Sequence, residues 1–161
     1  MAPFRFRYER LLQLALQRER QQAYVVGRKM AEVIRQREKL QALGRQWAEA
    51  RQTWLGEVGQ GGRAADLSAG LRWLLALEGR IEQENRTLRR LVAELDLERA
   101  RLVETVKRRR IFEKLKEKHR GAFEERERRL EQRTLDEIAS LADWRSRSET
   151  VDAVRTQDTQ G

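Results

Sequence analysis

Between Leu67 and Leu102 a leucine or isoleucine recurs at every seventh position, as Leu67, Leu74, Ile81, Leu88, Leu95 and Leu102. Apolar residues at that interval lie along one narrow stripe of a helix, and such a stripe is buried by packing against another helix. A companion row of Leu71, Glu78, Asn85, Val92, Arg99 and Val106 is mixed. It suits a two-stranded pairing, in which polar side chains can bend outward to water. A second heptad row precedes it, through Leu12, Glu19, Val26, Val33, Leu40, Trp47 and Trp54. Leu16, Ala23 and Met30 read as its companions, followed by a one-position shift to Leu43 and Ala50 that implies a local change of winding.

Four glycines stand in the seven residues from Gly56 to Gly62 and interrupt the helical pattern. Glycine at that density opposes a helix interior and favours a turn. If the chain folds back there, the two rows pair with a constant sum of residue numbers, Trp54 with Leu67 through Val26 with Leu95. The midpoint then falls at Gln60–Gly61, inside the glycine stretch. The expected fold is all-α: a long antiparallel two-helix coiled-coil hairpin over residues 1–144. Helix 1 is expected at about 4–55, the loop at 56–66 and helix 2 at about 67–142, with Asp66 or Ser68 as its N-cap. The same register sets Leu12 against Arg109 and Phe4 near Glu117, so helix 2 is expected to overhang by some 20–25 residues, roughly 30–40 Å. Residues 145–161 are polar and aperiodic and read as a disordered tail.

Composition narrows the function. Of 161 residues, 38% are charged and only 6% aromatic, which suits long helices better than a thick globular core. No cysteine is present and His119 is the single histidine, read as a partly exposed seam residue. No nucleophile–base pair and no metal or cofactor site is therefore expected, and the chain does not read as an enzyme. Carboxylates such as Glu124 and Glu125 stand four residues before Arg128 and Arg129, the spacing of surface ion pairs. Gly59-x-Gly61-Gly62 lacks the strand and the Lys-Ser/Thr of a phosphate loop. No apolar run approaches a membrane span, and Met1–Arg7 lacks a signal-peptide core, so a cytoplasmic location is expected.

A net charge of +9 favours acidic partners. Its densest basic run, Lys107-Arg108-Arg109-Arg110, continues through Lys114, Lys116, Lys118 and Arg120. In the hairpin this run approaches Arg5, Arg7 and Arg10, interleaved with Phe4, Phe6 and Tyr8. A basic pole could neutralise phosphates, but Glu113, Glu117, Glu124, Glu125 and Glu127 interrupt it, and no nucleic-acid motif is present. A protein surface of mixed charge fits better. Around the turn stand Trp47, Trp54, Trp73, Leu74, Leu75 and Leu77. Trp73 and Leu77 lie off the all-apolar row and are expected to be exposed, as a binding surface or as the core of a four-helix self-assembly.

Three stretches resemble the FliJ family of flagellar type III export proteins. They are Phe4-Arg5-Phe6-Arg7-Tyr8-Glu9-Arg10-Leu11-Leu12, Trp73-Leu74-Leu75-Ala76-Leu77-Glu78-Gly79-Arg80-Ile81-Glu82-Gln83, and the basic stretch Lys107–Leu115 followed by Leu135-Asp136-Glu137-Ile138-Ala139. The resemblance covers about residues 4–144. It implies a coiled coil similar to the stalk subunit of rotary ATPases. It also implies binding to the hexameric export ATPase (FliI) and the membrane export gate (FlhA), and escort of export chaperones, with no small-molecule substrate. By position, Phe4, Arg5, Phe6, Arg7, Leu11, Arg110, Lys114, Leu115 and Lys118 would face the ATPase. Trp73, Leu77, Arg80 and Ile81 would face the gate, peripheral to the membrane through these partners. The alternatives are a basic coiled coil that binds nucleic acid, or the equivalent stalk of an injectisome.

Overall fold

The computed structural model describes residues 3–157, with side chains to residue 148. Two helices account for nearly all of it, α1 at Glu9–Gly59 and α2 at Ala64–Gln157. They contribute to two compact units. One comprises the N-terminal residues to Glu9 with α2 from Ile111 onward, and the other is Arg10–Arg110.

Arg10–Arg110 is the helical hairpin. Its turn is shorter than the glycine content suggests, because α1 runs on through Gly56 to Gly59. The helix stops at Gly61, whose φ of 72° lies in the left-handed region that side chains disfavour. There the Gly62 N–H donates to the Glu57 carbonyl at 2.9 Å and the Gly61 N–H to the Val58 carbonyl at 3.3 Å. This nested pair is the Schellman motif, which satisfies the last carbonyls of a helix and requires a glycine-like residue at its left-handed position. α2 then begins at Ala64 without either expected cap. Asp66 lies in its first turn, where a carboxylate faces the positive end of the helix dipole. Ser68 instead donates to the Ala65 carbonyl at 2.9 Å.

The first seam row packs as its spacing predicts. Val26, Val33 and Leu95 form a buried cluster against Leu88, Leu91, Val92 and Leu102. Near the turn the Trp54 indole N–H donates to the Leu67 carbonyl at 2.9 Å, the predicted pairing. The second row differs from the expected one. Of that row Met30, Ala23, Leu71 and Arg99 are exposed, whereas Leu16, Asn85, Val92 and Val106 are half-buried and Leu43 and Ala50 face inward as expected. The inward positions of α1 are Ala15, Gln22, Lys29, Gln36, Leu43 and Ala50. Those of α2 are Gly70, Leu77, Glu84, Leu91, Glu98 and Thr105. This heptad runs without a shift, so no local change of winding is needed.

Polar residues occupy that row because they bond across it. Gln22 Nε2 donates to the Glu98 carbonyl at 3.0 Å and to Glu98 Oε2 at 2.6 Å. Gln36 repeats the arrangement on Glu84, at 3.0 Å to the carbonyl and 2.7 Å to Oε2. Lys29 pairs with Glu94 at 2.7 Å, Lys39 with Glu84 at 2.6 Å, and Arg109 with Glu19. On so open a surface each contact adds little to stability, so their effect is mainly on register. Sliding one helix by a heptad would set Gln22 and Gln36 against leucine or threonine and break both locks together.

The other unit contains two departures from the expected boundaries. Residues 3–8 are not helical, although helix 1 is expected from about residue 4. α2 continues to Gln157, beyond its expected end near Asp143. No proline or glycine stands between Ala122 and Gln160 to stop it. Asp143 pairs with Arg147 at 3.0 Å, and Ser146 and Ser148 donate to carbonyls three residues back at 2.9 and 2.8 Å. These local bonds satisfy polar groups that would otherwise favour a non-helical chain. The rest of the expected tail, 158–161, lies outside the described residues.

The cross-seam pairs tie stability to pH. Lys39 first and Gln36 second hold the Glu84 carboxyl below the usual range, and Lys29 does the same for Glu94. A carboxylate depressed by folding stabilises above its ordinary pKa of about 4.3 and ceases to do so as pH falls through the depressed value. Lys29 is held above its ordinary range, chiefly by Glu94, so its contribution is lost only in strong alkali. Thermal melts followed by circular dichroism should therefore show a midpoint that falls on acidification below about pH 4.3. Glu84→Gln should melt lower at neutral pH and lose less in acid. Identical acid limbs for the two proteins would contradict this role for Glu84.

Candidate partner-binding surfaces

The stretch Phe4-Arg5-Phe6-Arg7-Tyr8 alternates ring and charge, the period of an extended chain rather than of a helix. Extended, it lays its rings on α2 and leaves its arginines in water. Phe6 is buried, with 7% of its surface exposed, and meets His119 edge-on at 5.7 Å between ring centroids. Phe4 lies 5.7 Å from Phe123, and Tyr8 closes the cluster at 5.8 Å from Phe6 and 6.4 Å from His119. Edge and tilted contacts at these separations are favourable for aromatic rings. The segment turns into α1 through a hydrogen bond from the Glu9 N–H to the Phe6 carbonyl at 3.2 Å. Lys116 clamps the junction by pairing with Glu9 at 2.8 Å.

Within this unit the expected contact residues divide by exposure. Arg5, Arg7, Lys114 and Lys118 are exposed, and Phe4 and Leu115 are half-buried. Phe6 serves as an internal anchor, and His119, expected as a seam residue, is an exposed platform for it. In the hairpin unit Leu11 and Arg110 are exposed. Much of the basic run is locally neutralised. Lys107 pairs with Glu104 at 3.1 Å, Arg120 with Glu124 at 3.0 Å, and Arg109 with Glu19. Lys114, Lys118 and Arg110 have no such partner among the described residues.

Around the turn, the Trp54 ring lies so close to the Gly70 backbone that a Cβ there would stand 2.6 Å from Trp54 Cδ1. Gly70 is thus a packing requirement of the seam. Trp47 donates its indole N–H to Glu78 at 3.2 Å, and the Arg51 guanidinium sits 5.7 Å from its ring centroid. Both tryptophans are therefore used within the hairpin. Leu77, expected to be exposed, is its most buried side chain at 1%. The reason is the corrected heptad, which directs position 77 inward with Leu74 and Leu43. Trp73 is 54% exposed, Arg80 is exposed and Ile81 is half-buried. Leu71 and Leu75 add exposed apolar surface on the same helix.

Among the described residues no group of histidine, cysteine or acidic side chains could hold a metal ion. Nor is any helix there long and apolar enough to cross a membrane. The architecture defines an all-α coiled-coil protein whose distinctive features are surfaces. The chain belongs to the flagellar FliJ protein family, whose model matches residues 4–148. Membership makes it a component of flagellar type III protein export. Neither a curated protein nor a solved structure gives a significant match.

Two glycine substitutions separate helix propensity from packing at the turn. Gly44 has nothing within 4 Å of a built Cβ, so Gly44→Ala should stabilise the hairpin by about 1 kcal/mol. Gly70→Ala gains the same propensity but must displace Trp54, a cost of about 1–3 kcal/mol for overpacking. Urea titrations should show Gly44→Ala more stable than the parent and Gly70→Ala equal or less stable, with altered tryptophan fluorescence. Equal stabilisation by both would contradict the Trp54–Gly70 contact.

Proposed function

We propose that this chain is a non-enzymatic partner of the hexameric export ATPase, bound in the manner of a rotary-ATPase stalk on the cytoplasmic side of the export apparatus. The observation that carries this reading is the aromatic-basic N-terminal segment seated on α2 within a chain of the flagellar FliJ family. Phe6 and His119 hold the segment in place, while Arg5, Arg7, Lys114 and Lys118 present charge around a half-buried Phe4. Leu115 completes the proposed contact set of this unit, and Leu11 and Arg110 are proposed separately as ATPase contacts of the hairpin unit. Cations around an apolar anchor suit an acidic rim on a protein, where the anchor contributes affinity and the charges contribute rate and orientation.

A single asymmetric chain cannot contact six subunits alike. Its effect on the ring comes from contacting one subunit conformation better than another, which biases assembly or the sequence of states. Trp73 and Arg80, with Ile81 beneath them, form the proposed contact for the export gate. Leu77 supports that surface from inside the seam. Escort of export chaperones would use the same chain as an exchangeable partner. Nucleic-acid binding is disfavoured, because Lys107, Arg109, Lys116 and Arg120 are already paired with carboxylates.

The test is reconstitution with the cognate hexameric ATPase. Binding in a pull-down and a change in hydrolysis rate are expected. Arg5→Glu with Arg7→Glu should weaken binding at least tenfold, more strongly at low salt. Trp73→Ala should leave ATPase binding unchanged and weaken binding to the gate protein. Absence of ATPase binding, or binding without any change in hydrolysis, would refute the reading.

A further inference from the structure

The contacts of the N-terminal segment end at the groove formed by Phe4, Arg5, His119, Ala122, Phe123 and Arg126. The helical face on which it lies continues through Leu130, Ile138, Leu141 and Trp144. At 100° per residue these positions fall with Phe123 inside an arc of about 120°, the width of a stripe that packs on another element. All four are more than half exposed, from 54% at Leu130 to 68% at Trp144. Shallow grooves flank the stripe, lined by Phe123, Glu127, Leu130, Glu131, Thr134 and Leu135.

Charge identifies the occupant. The chain as a whole carries +9, but residues 120–147 contain seven basic and seven acidic side chains and are neutral. Most surface pairs on this helix are local, such as Arg129 with Glu125 at 2.9 Å. Six charges are left over, and they balance. Arg126, Arg133 and Arg145 have no ion pair or side-chain hydrogen bond, and neither do Glu127, Glu131 and Glu137. An acidic partner would satisfy only the arginines, and a basic one only the glutamates. A second copy of the same segment satisfies both.

We infer that the stripe from Phe123 to Trp144 is a self-association surface, on which α2 of one chain packs against α2 of another. The paired length is about 32 Å at 1.5 Å per residue, which puts the contact at the small end of specific interfaces. The dimer is therefore weak and reversible, with a dissociation constant of about 10–100 μM. It uses a surface separate from Trp73 and Arg80, and it goes beyond the proposed ATPase and gate contacts.

Sedimentation equilibrium of the full chain from about 1 to 200 μM tests this at the scale of such a weak contact. The average mass should rise from the monomer's 19.1 kDa toward twice that value. Leu130→Asp with Ile138→Asp should hold the mass at monomer while circular dichroism is unchanged, since both residues are exposed. Charge exchange gives a second readout. Glu127→Lys with Glu131→Lys, and separately Arg126→Glu with Arg133→Glu, should each weaken self-association at least tenfold, and mixing the two variants should restore it as a heterodimer. A monomer at every concentration would overturn the inference. So would a dimer insensitive to the aspartates, or one abolished instead by Trp73→Asp.

Discussion

Two glutamines reach across a helix pair that has very little core. Gln22 and Gln36 each grip a glutamate and its backbone carbonyl on the facing helix, two heptads apart. The hairpin buries few side chains deeply, and an apolar stripe of leucines and valines tolerates sliding by a heptad at modest loss. The glutamine locks do not tolerate it, because a displaced carboxamide would face an apolar side chain. The position of Trp54 over Gly70 and the inward direction of Leu77 both follow from that register.

Much of this was legible in the sequence, for identifiable reasons. Leucine recurring every seven residues specifies a helix and a stripe whatever its partner, and a glycine cluster at the midpoint of two stripes specifies a turn. The second row is less legible, because polar residues share its packing with apolar ones. Leu16, Ala23 and Met30 are one step away from Ala15, Gln22 and Lys29, and only hydrogen-bond geometry separates the two choices. That one-step error also put Leu77 on the surface. A glutamine at each end of two heptads, facing glutamates at the same interval, is the signal that would have found it.

The candidate surfaces were legible in composition and less so in conformation. Alternating rings and arginines at the N-terminus mark a special segment, but its partner ring, Phe123, lies far away in sequence and only the fold brings it near. Its extended form changes the roles of its residues. Phe6 becomes an anchor, Arg5 and Arg7 become the accessible charges, and His119 becomes a support rather than a seam residue. The same geometry explains how a chain with so thin a core can present an ordered surface. The six residues 3–8 are held by Phe4 on Phe123, Phe6 and Tyr8 on His119 and the Lys116–Glu9 ion pair, with no dedicated domain beneath them.

The central claim is the register of the hairpin, and the absence of cysteine makes it directly measurable. Gln36→Cys with Glu84→Cys places two thiols on residues whose side chains now touch, and Gln36→Cys with Leu91→Cys places them one heptad out of register. Under mild oxidation the first pair should form a disulfide within a single chain, at a rate independent of protein concentration, and the second should not. Cross-linking of the second pair in preference to the first, or disulfides that form only between chains, would contradict the fold from which every other assignment follows.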